Sequence, residues 1–278
     1  MLFKRVGLAF TFSPNAFALL RIALRLKKLF NSDFFIIHAG EDTLEYRTKI
    51  SQMIQSSEFF DNDYEIIIKK EEPVKLISDV CKEKNIDLLI CGALEKESIL
   101  KYYLGSVARK LMHEVTSSIL VIVNPQNIIS PFKKFCVNID YSQAGEYAVK
   151  KAFEFAKLEK ADEFILVREF QIPGLAITIY DGGEVNKTEK TRIEYQKEEE
   201  EKLKVFSDEL NLTGLNIKRV CLYGKQGWEL KQYAKDSASD LLVLSSPPKK
   251  LKLFDKLFQH DIEIILNQLP CSLLIIRS

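Results

Sequence analysis

Short apolar runs alternate along this chain with longer stretches in which apolar residues return every three or four positions. In the first half the short runs lie at about 4–11, 33–39, 64–69, 86–92 and 118–124. They are rich in Ile, Leu, Val and Phe and nearly continuous, the pattern of strands buried on both faces. Between the first two, residues 14–30 set Ala16, Leu19, Leu20, Ala23, Leu24 and Leu26 at helical spacing, with Arg and Lys on the other side. Pro73 opens a second helix that gathers Val74, Ile77, Val80 and Cys81 on one face, and proline suits a first turn. A third helix is predicted over about 106–113. Strand–helix alternation predicts parallel strands joined by right-handed crossovers, hence an open α/β sheet of about five strands.

The pattern then starts again. Phe3-Lys4-Arg5-Val6-Gly7-Leu8-Ala9-Phe10-Thr11-Phe12-Ser13 is answered by Phe132-Lys133-Lys134-Phe135-Cys136-Val137-Asn138-Ile139-Asp140-Tyr141-Ser142. Asp33-Phe34-Phe35-Ile36-Ile37 is answered by Asp162-Glu163-Phe164-Ile165-Leu166, and Ile86-Asp87-Leu88-Leu89-Ile90 by Ser239-Asp240-Leu241-Leu242-Val243. Strands are predicted in the second half at about 132–140, 162–169, 216–222, 239–245 and 271–277. A period this long marks a duplicated domain, since solenoid units run to roughly 20–50 residues. The expected domains are 1–127 and 131–278, joined by a short proline-flanked link. The second copy is about 24 residues longer, with the insertion near 171–198. There, residues 176–183 suggest a small hairpin around Asp181-Gly182, and 190–210 a long polar helix whose Glu198–Glu201 run reads as a solvated face.

Composition narrows the function classes. At 278 residues the chain is long enough for two cores, and 46% hydrophobic with 28% charged residues is ordinary for a globular protein. A net charge of +1 gives no electrostatic reason to expect a nucleic-acid or membrane surface. The five cysteines form no C-x-x-C pair and mostly lie in apolar runs, so they read as small buried hydrophobes of a reducing cytoplasm. The three histidines are not spaced with Cys or Asp as metal ligands would be. Lys4-Arg5 before an apolar stretch can mimic a signal peptide, but the same pattern at Phe132 identifies it as a strand. No apolar run reaches the roughly 18–20 residues that span a bilayer.

Four local features together resemble the universal stress protein family in a tandem form. The first strand of each half ends in a polar residue and Ser before a helix, Thr11-Phe12-Ser13 and Asp140-Tyr141-Ser142. The second strand ends Ile37-His38-Ala39. The fourth follows Asp87 and ends at Gly92. Leu104-Gly105-Ser106-Val107-Ala108-Arg109-Lys110-Leu111 then precedes the last strand, 119–123. The resemblance implies two doubly wound, Rossmann-like sheets of the adenine nucleotide α-hydrolase type. It also implies pairing of the last strands, 119–123 with 272–276, as an internal pseudo-dimer that covers two sheet edges.

Nucleotide-binding members carry G-x2-G-x9-G-[S/T]. Its glycines let backbone N–H groups approach phosphate, and its last pair opens a helix whose N-terminus favours an anion. This chain keeps the spacing as Gly92, Glu95 and Gly105-Ser106, with a carboxylate where the middle glycine belongs. Glu95 repels phosphate unless it points away or a Mg²⁺ lies between. The adenine-side Asp is Thr11 here. The resemblance therefore implies an ATP or AMP site in the first half at Thr11, Ala39, Gly92, Gly105, Ser106 and Val107, with Ala39 meeting adenine through its backbone. The second half keeps Asp140 but has Ser245 for Gly92 and Gln259-His260 for Gly105-Ser106, with a Pro- and Lys-rich loop at 246–252. Prolines lack N–H donors, so this half reads as degenerate. On the residues alone, Gly105 also fits an ordinary loop glycine, Ser13, Ser106 and Ser142 fit helix N-caps, and His38 fits a strand-end filler.

Three functions follow. The leading expectation is a non-catalytic, cytoplasmic stress-response protein whose bound adenine nucleotide biases a surface for an unnamed protein partner, the chain being an internal pseudo-dimer able to form a homodimer. The second is a nucleotide-free interaction or scaffold protein of the same family. The third, an enzyme, lacks a Ser-Gly-Gly-x-Asp-Ser loop, a His-Ile-Gly-His run and a convergent acid–base set.

Overall fold

The computed structural model describes all residues except 97–100, 126–129, 173–184 and 247–261. Strands β1 (Arg5–Ala9), β2 (Asp33–Ala39), β3 (Glu65–Lys69) and β4 (Leu88–Gly92) begin the first half. A hairpin of β5 (Leu94–Lys96) and β6 (Lys101–Tyr103) follows, then β7 (Ser118–Ile122). The second half carries β8 (Lys134–Asn138), β9 (Glu163–Phe170), β10 (Ile217–Tyr223), β11 (Leu241–Ser246) and β12 (Ser272–Arg277). The helices are α1 (Ala16–Phe30), α2 (Leu44–Gln55), α3 (Pro73–Glu83), α4 (Ser106–Glu114), α5 (Gln143–Glu159), α6 (Val185–Glu209) and α7 (Trp228–Asp236), with a short helical stretch at 262–266.

The chain forms two units, Met1–Pro131 with Leu266–Arg277, and Phe132–Ile265. In the first, β3, β2, β1, β4 and β7 lie side by side and parallel. The antiparallel β12 completes that sheet against β7, with Leu273 opposite Val121 and Ile275 opposite Ile119. The expected pairing of the two last strands is therefore present. Ser272 Oγ accepts from the Val123 amide at 3.2 Å, and Ser118 Oγ from the Arg277 amide at 3.2 Å, so a serine pins each end. In the second unit β10, β9, β8 and β11 are parallel in that order.

The duplicated Asp before the fourth strand has the same task in each half. Asp87 accepts from the amides of Lys4 (2.8 Å) and Arg5 (3.1 Å), and Asp240 from those of Lys133 (2.7 Å) and Lys134 (2.8 Å). Each carboxylate ties the start of the first strand to the chain entering the fourth, satisfying N–H groups that the ladder leaves open. Both strand sets are sealed by apolar helix faces. Leu20, Ala23, Leu24 and Leu26 of α1 are buried, as are Ala148, Val149, Ala152 and Phe155 of α5.

Three local expectations change. The predicted elements omit α2, whose buried face is only Ile50 and Ile54 and whose start rests on Thr43 Oγ1 accepting from the Tyr46 amide at 3.2 Å. Ser13 is not an N-cap, because Pro14 and Asn15 make a turn first and α1 starts at Ala16. Ser142 is one, its hydroxyl accepting from the Gly145 amide at 2.9 Å. The insertion lengthens the crossover helix to the 25 residues of α6, while the hairpin suggested at 176–183 lies outside the described residues.

Candidate functional site

Parallel strands end together. Because β1 lies between β2 and β4, Thr11, Ala39 and Gly92 stand along one edge of the first sheet, the edge at which open α/β sheets bind ligands. Thr11 follows β1, is exposed, and accepts from the Ser13 amide at 2.9 Å. Ala39 closes β2 opposite Lys69, and Gly92 closes β4 opposite Ile122.

Between Gly92 and Gly105 the chain folds into the β5–β6 hairpin, in which Glu95 pairs with Tyr102 through the backbone. The Glu95 side chain lies outside what the structure describes. The hairpin returns the chain so that Leu94 lies over Gly105, where an added Cβ would stand 2.6 Å from Leu94 Cδ1. Gly105 adopts φ −66°, ψ 164°, a conformation open to any residue, so backbone freedom does not require glycine here, and a side chain would have to displace the Leu94 tip. Gly105, not Ser106, is the N-cap of α4, and no side chain caps that helix. Ser106 and Val107 are exposed in its first turn. An uncapped first turn leaves N–H groups and a partial positive charge for an anion, so the residues present fit a phosphate once Leu94 gives way.

Beside the ends of β1 and β2 lies a ring cluster that sequence reasoning missed. Phe12 lies 5.0 Å from His38 edge-on and 5.0 Å from Tyr46 at a 31° tilt. Lys49 Nζ sits 5.0 Å from the Phe12 centroid. His38 is the strand-end filler expected, buried with Nδ1 3.0 Å from the Phe10 carbonyl. The aromatic residues were visible in the sequence, but Tyr46 and Lys49 reach Phe12 only through the unpredicted α2.

The second unit has closed the corresponding polar positions on themselves. Asp140 Oδ1 accepts from the Ser142 amide (2.9 Å) and hydroxyl (2.7 Å), and Oδ2 from the Ser245 hydroxyl at 2.7 Å. Gly145 is required there, because any Cβ would overlap Asp140 Oδ1. At the end of β9, buried Glu169 accepts from the amides of Gly227 (3.0 Å) and Leu230 (2.8 Å), filling the N-terminus of α7 from within. Arg168 donates to the Ile139 carbonyl (3.1 Å) and Glu199 (3.2 Å), with its guanidinium 4.7 Å over the Tyr141 ring. Burial raises Glu199, but hydrogen bonds from Lys202 and Arg168 outweigh it and hold the carboxyl below its ordinary range. One member of the Glu198–Glu201 run thus turns inward, while the other three are exposed.

A cavity of about 150 Å³ remains among these groups. Ile139, Leu230, Leu244, Ile262 and Ile265 give it apolar walls. Asn138, Gln226 and Ser245 reach it beside Asp140, Arg168 and Glu169. Of the expected loop, 247–252 lies outside the described residues, as do Gln259 and His260. Among the described residues no group of His, Cys, Asp and Glu could hold a metal ion, and no helix is long and apolar enough to cross a membrane.

Comparison with known proteins places this geometry. The model of the universal stress protein family matches twice, at residues 2–123 and 131–277. A universal stress protein from Archaeoglobus fulgidus DSM 4304 superposes with a TM-score of 0.67 at 14% identity, covering 98% of each chain. A Pseudomonas aeruginosa UCBPP-PA14 protein assigned to the same family gives 0.66 at 14% identity, over 99% of this chain and 93% of that one. Both likenesses extend the fold over nearly the whole chain. No curated relative matches.

Proposed function

We take as premise that the chain belongs to the universal stress protein family, in a tandem form, and propose that it is a non-catalytic stress-response protein that binds ATP or AMP in its first half. The observation that carries this reading is the start of α4. Gly105 caps it without any side-chain partner, and the adjoining strand ends leave Thr11, Ala39 and Gly92 along one edge. Ser106 and Val107 offer first-turn amides to phosphate, and the Ala39 backbone faces the base. The second half is degenerate for phosphate, since Ser245 replaces Gly92 and Gln259-His260 replaces Gly105-Ser106. The setting is the cytoplasm, and the bound nucleotide biases a protein-binding surface.

The competing reading is a nucleotide-free interaction protein. Leu94 seated on Gly105 favours it, because an apolar side chain covers the anion position. Denaturing freshly purified protein and weighing any released small molecule separates the two. ATP or AMP from the wild type, absent from Gly105→Glu of unchanged circular dichroism, supports nucleotide binding in the first half. No nucleotide, and no thermal shift with Mg-ATP, leaves the scaffold.

A further inference from the structure

Given nucleotide binding in the first half, on which this rests, we propose that Leu94 is a side-chain plug that regulates the site, its displacement setting the affinity. Helix α4, whose first turn carries the exposed Ser106 and Val107, is fixed in place. The last segment of the chain, Leu266–Arg277, belongs to the same unit and ties this helix at both ends. At the start, the Leu104 amide donates to the Leu266 carbonyl at 3.0 Å, and the Leu269 amide to the Tyr102 carbonyl at 2.9 Å. The Arg109 guanidinium donates to the Leu104 carbonyl and to Asn267 Oδ1, each at 2.9 Å. At the far end, Arg277 donates through Nη2 to the Met112 carbonyl. Leu266 and Leu269 are themselves buried. Drawing α4 back to admit a phosphate would break these bonds together, and each left unmade is costly.

Leu94 is held far more lightly. It is half exposed, its backbone pairs with Tyr103, and its tip lies over Gly105. Cδ1 and Cγ stand 2.6 and 3.2 Å from where a Cβ of residue 105 would be. Among the described residues, and apart from the chain neighbours of Gly105, Leu94 alone comes within 4 Å of that point. The tip thus covers the backbone from which α4 starts, where no side chain caps the helix, and offers its amides no acceptor. A rotamer change of a half-exposed leucine uncovers that backbone without disturbing any bond that fixes α4, and such changes take picoseconds to nanoseconds. The yielding part of the site is therefore one side chain. A ligand that needs the uncovered state binds with its affinity reduced by the fraction uncovered.

Full-length wild type, Leu94→Ala and Leu94→Phe, dialysed free of small molecules, are titrated calorimetrically with Mg-ATP and, separately, with AMP. Leu94→Ala should bind one or both about three- to tenfold more tightly than wild type, and Leu94→Phe, with a larger tip, should bind more weakly. Truncating a leucine that only supports the fold gives no gain, so tighter binding distinguishes a plug from a structural residue. The half-exposed position tolerates the change, and circular dichroism of each variant checks it. Equal affinity in wild type and Leu94→Ala, or weaker binding by Leu94→Ala, would overturn the plug and leave nucleotide binding in the first half standing. No binding of either nucleotide by any of the three proteins, Leu94→Ala included, would remove the nucleotide reading and the plug with it.

Discussion

The Ser245 hydroxyl donates to Asp140 Oδ2 at 2.7 Å, joining the ends of β11 and β8 at the position where the first half has Gly92 beside the chain leaving β1. The two residues by which the second half differs here, Ser for Gly and Asp for Thr, thus meet in one hydrogen bond. Ser245 is buried and Asp140 exposed, so the serine ties a solvent-facing carboxylate to the end of β11. Ser245 is buried, so Ser245→Ala should cost about 1–3 kcal/mol, the range for losing a hydrogen bond to a charged group. Urea unfolding of the variant beside wild type measures it. A change within a few tenths would mean that water replaces the hydroxyl without loss.

This pair also shows where sequence reading stops. The clamps that Asp87 and Asp240 make were not expected. The duplicated strands follow from apolar runs, the repeat of Asp87 at Asp240 from a match between halves, and the pairing of the two last strands from the family resemblance. Such features depend on local pattern or on a match between halves. The coupling of Asp140 to Ser245 crosses about a hundred residues, and neither half alone announces it. The α2 helix was missed because two buried isoleucines leave little periodicity, and with it went the Phe12–His38–Tyr46 cluster. Leu94 on Gly105 was missed because a glycine-motif loop does not advertise a hairpin.

Glu169 offers a second test of the second unit. Its two oxygens take separate amides at the start of α7, and Gly227 precedes that helix in a left-handed conformation with φ 76°. Glu169→Gln presents an NH₂ group to one of two N–H donors. The expected loss is about 2 kcal/mol, from a charged hydrogen bond removed and a donor left facing a donor. The adjoining Trp228 should shift its emission in the folded state, while Glu163→Gln, a half-buried site at the start of the same strand, should leave the emission unchanged.

Lys160 ends α5 at φ 50°, ψ 55°, the left-handed conformation that Asn31 adopts at the end of α1. A lysine pays a steric cost there that glycine does not, while asparagine tolerates it better. Lys160→Gly should stabilise by about 0.5–1 kcal/mol, and a two-domain chain of this length should melt about 2–4 °C higher per kcal/mol. Asn31→Gly should change little. Differential scanning calorimetry on both variants checks the contrast, and equal shifts would show that the backbone conformation is not the cause.

Part of the acid sensitivity should arise at a buried lysine. Lys27 of α1 is buried and pairs with Asp61, with Asp63 3.9 Å away. The hydrogen bond from Lys27 is the main cause that holds the Asp61 carboxyl below its ordinary range. A carboxylate depressed in the folded state contributes stability that is complete above its unfolded pKa, about 4, and is lost as pH falls through the lower folded value. Wild type should therefore lose stability below about pH 4, and Asp61→Asn should lose less over the same interval, having started lower. At pH 7 the variant should be about 1–2 kcal/mol less stable, toward the low end for an unpaired buried charge because Asp63 still faces the ammonium. Urea titrations at pH 7 and pH 3 supply the four values. Parallel acid losses in the two proteins would place the acid-sensitive group elsewhere.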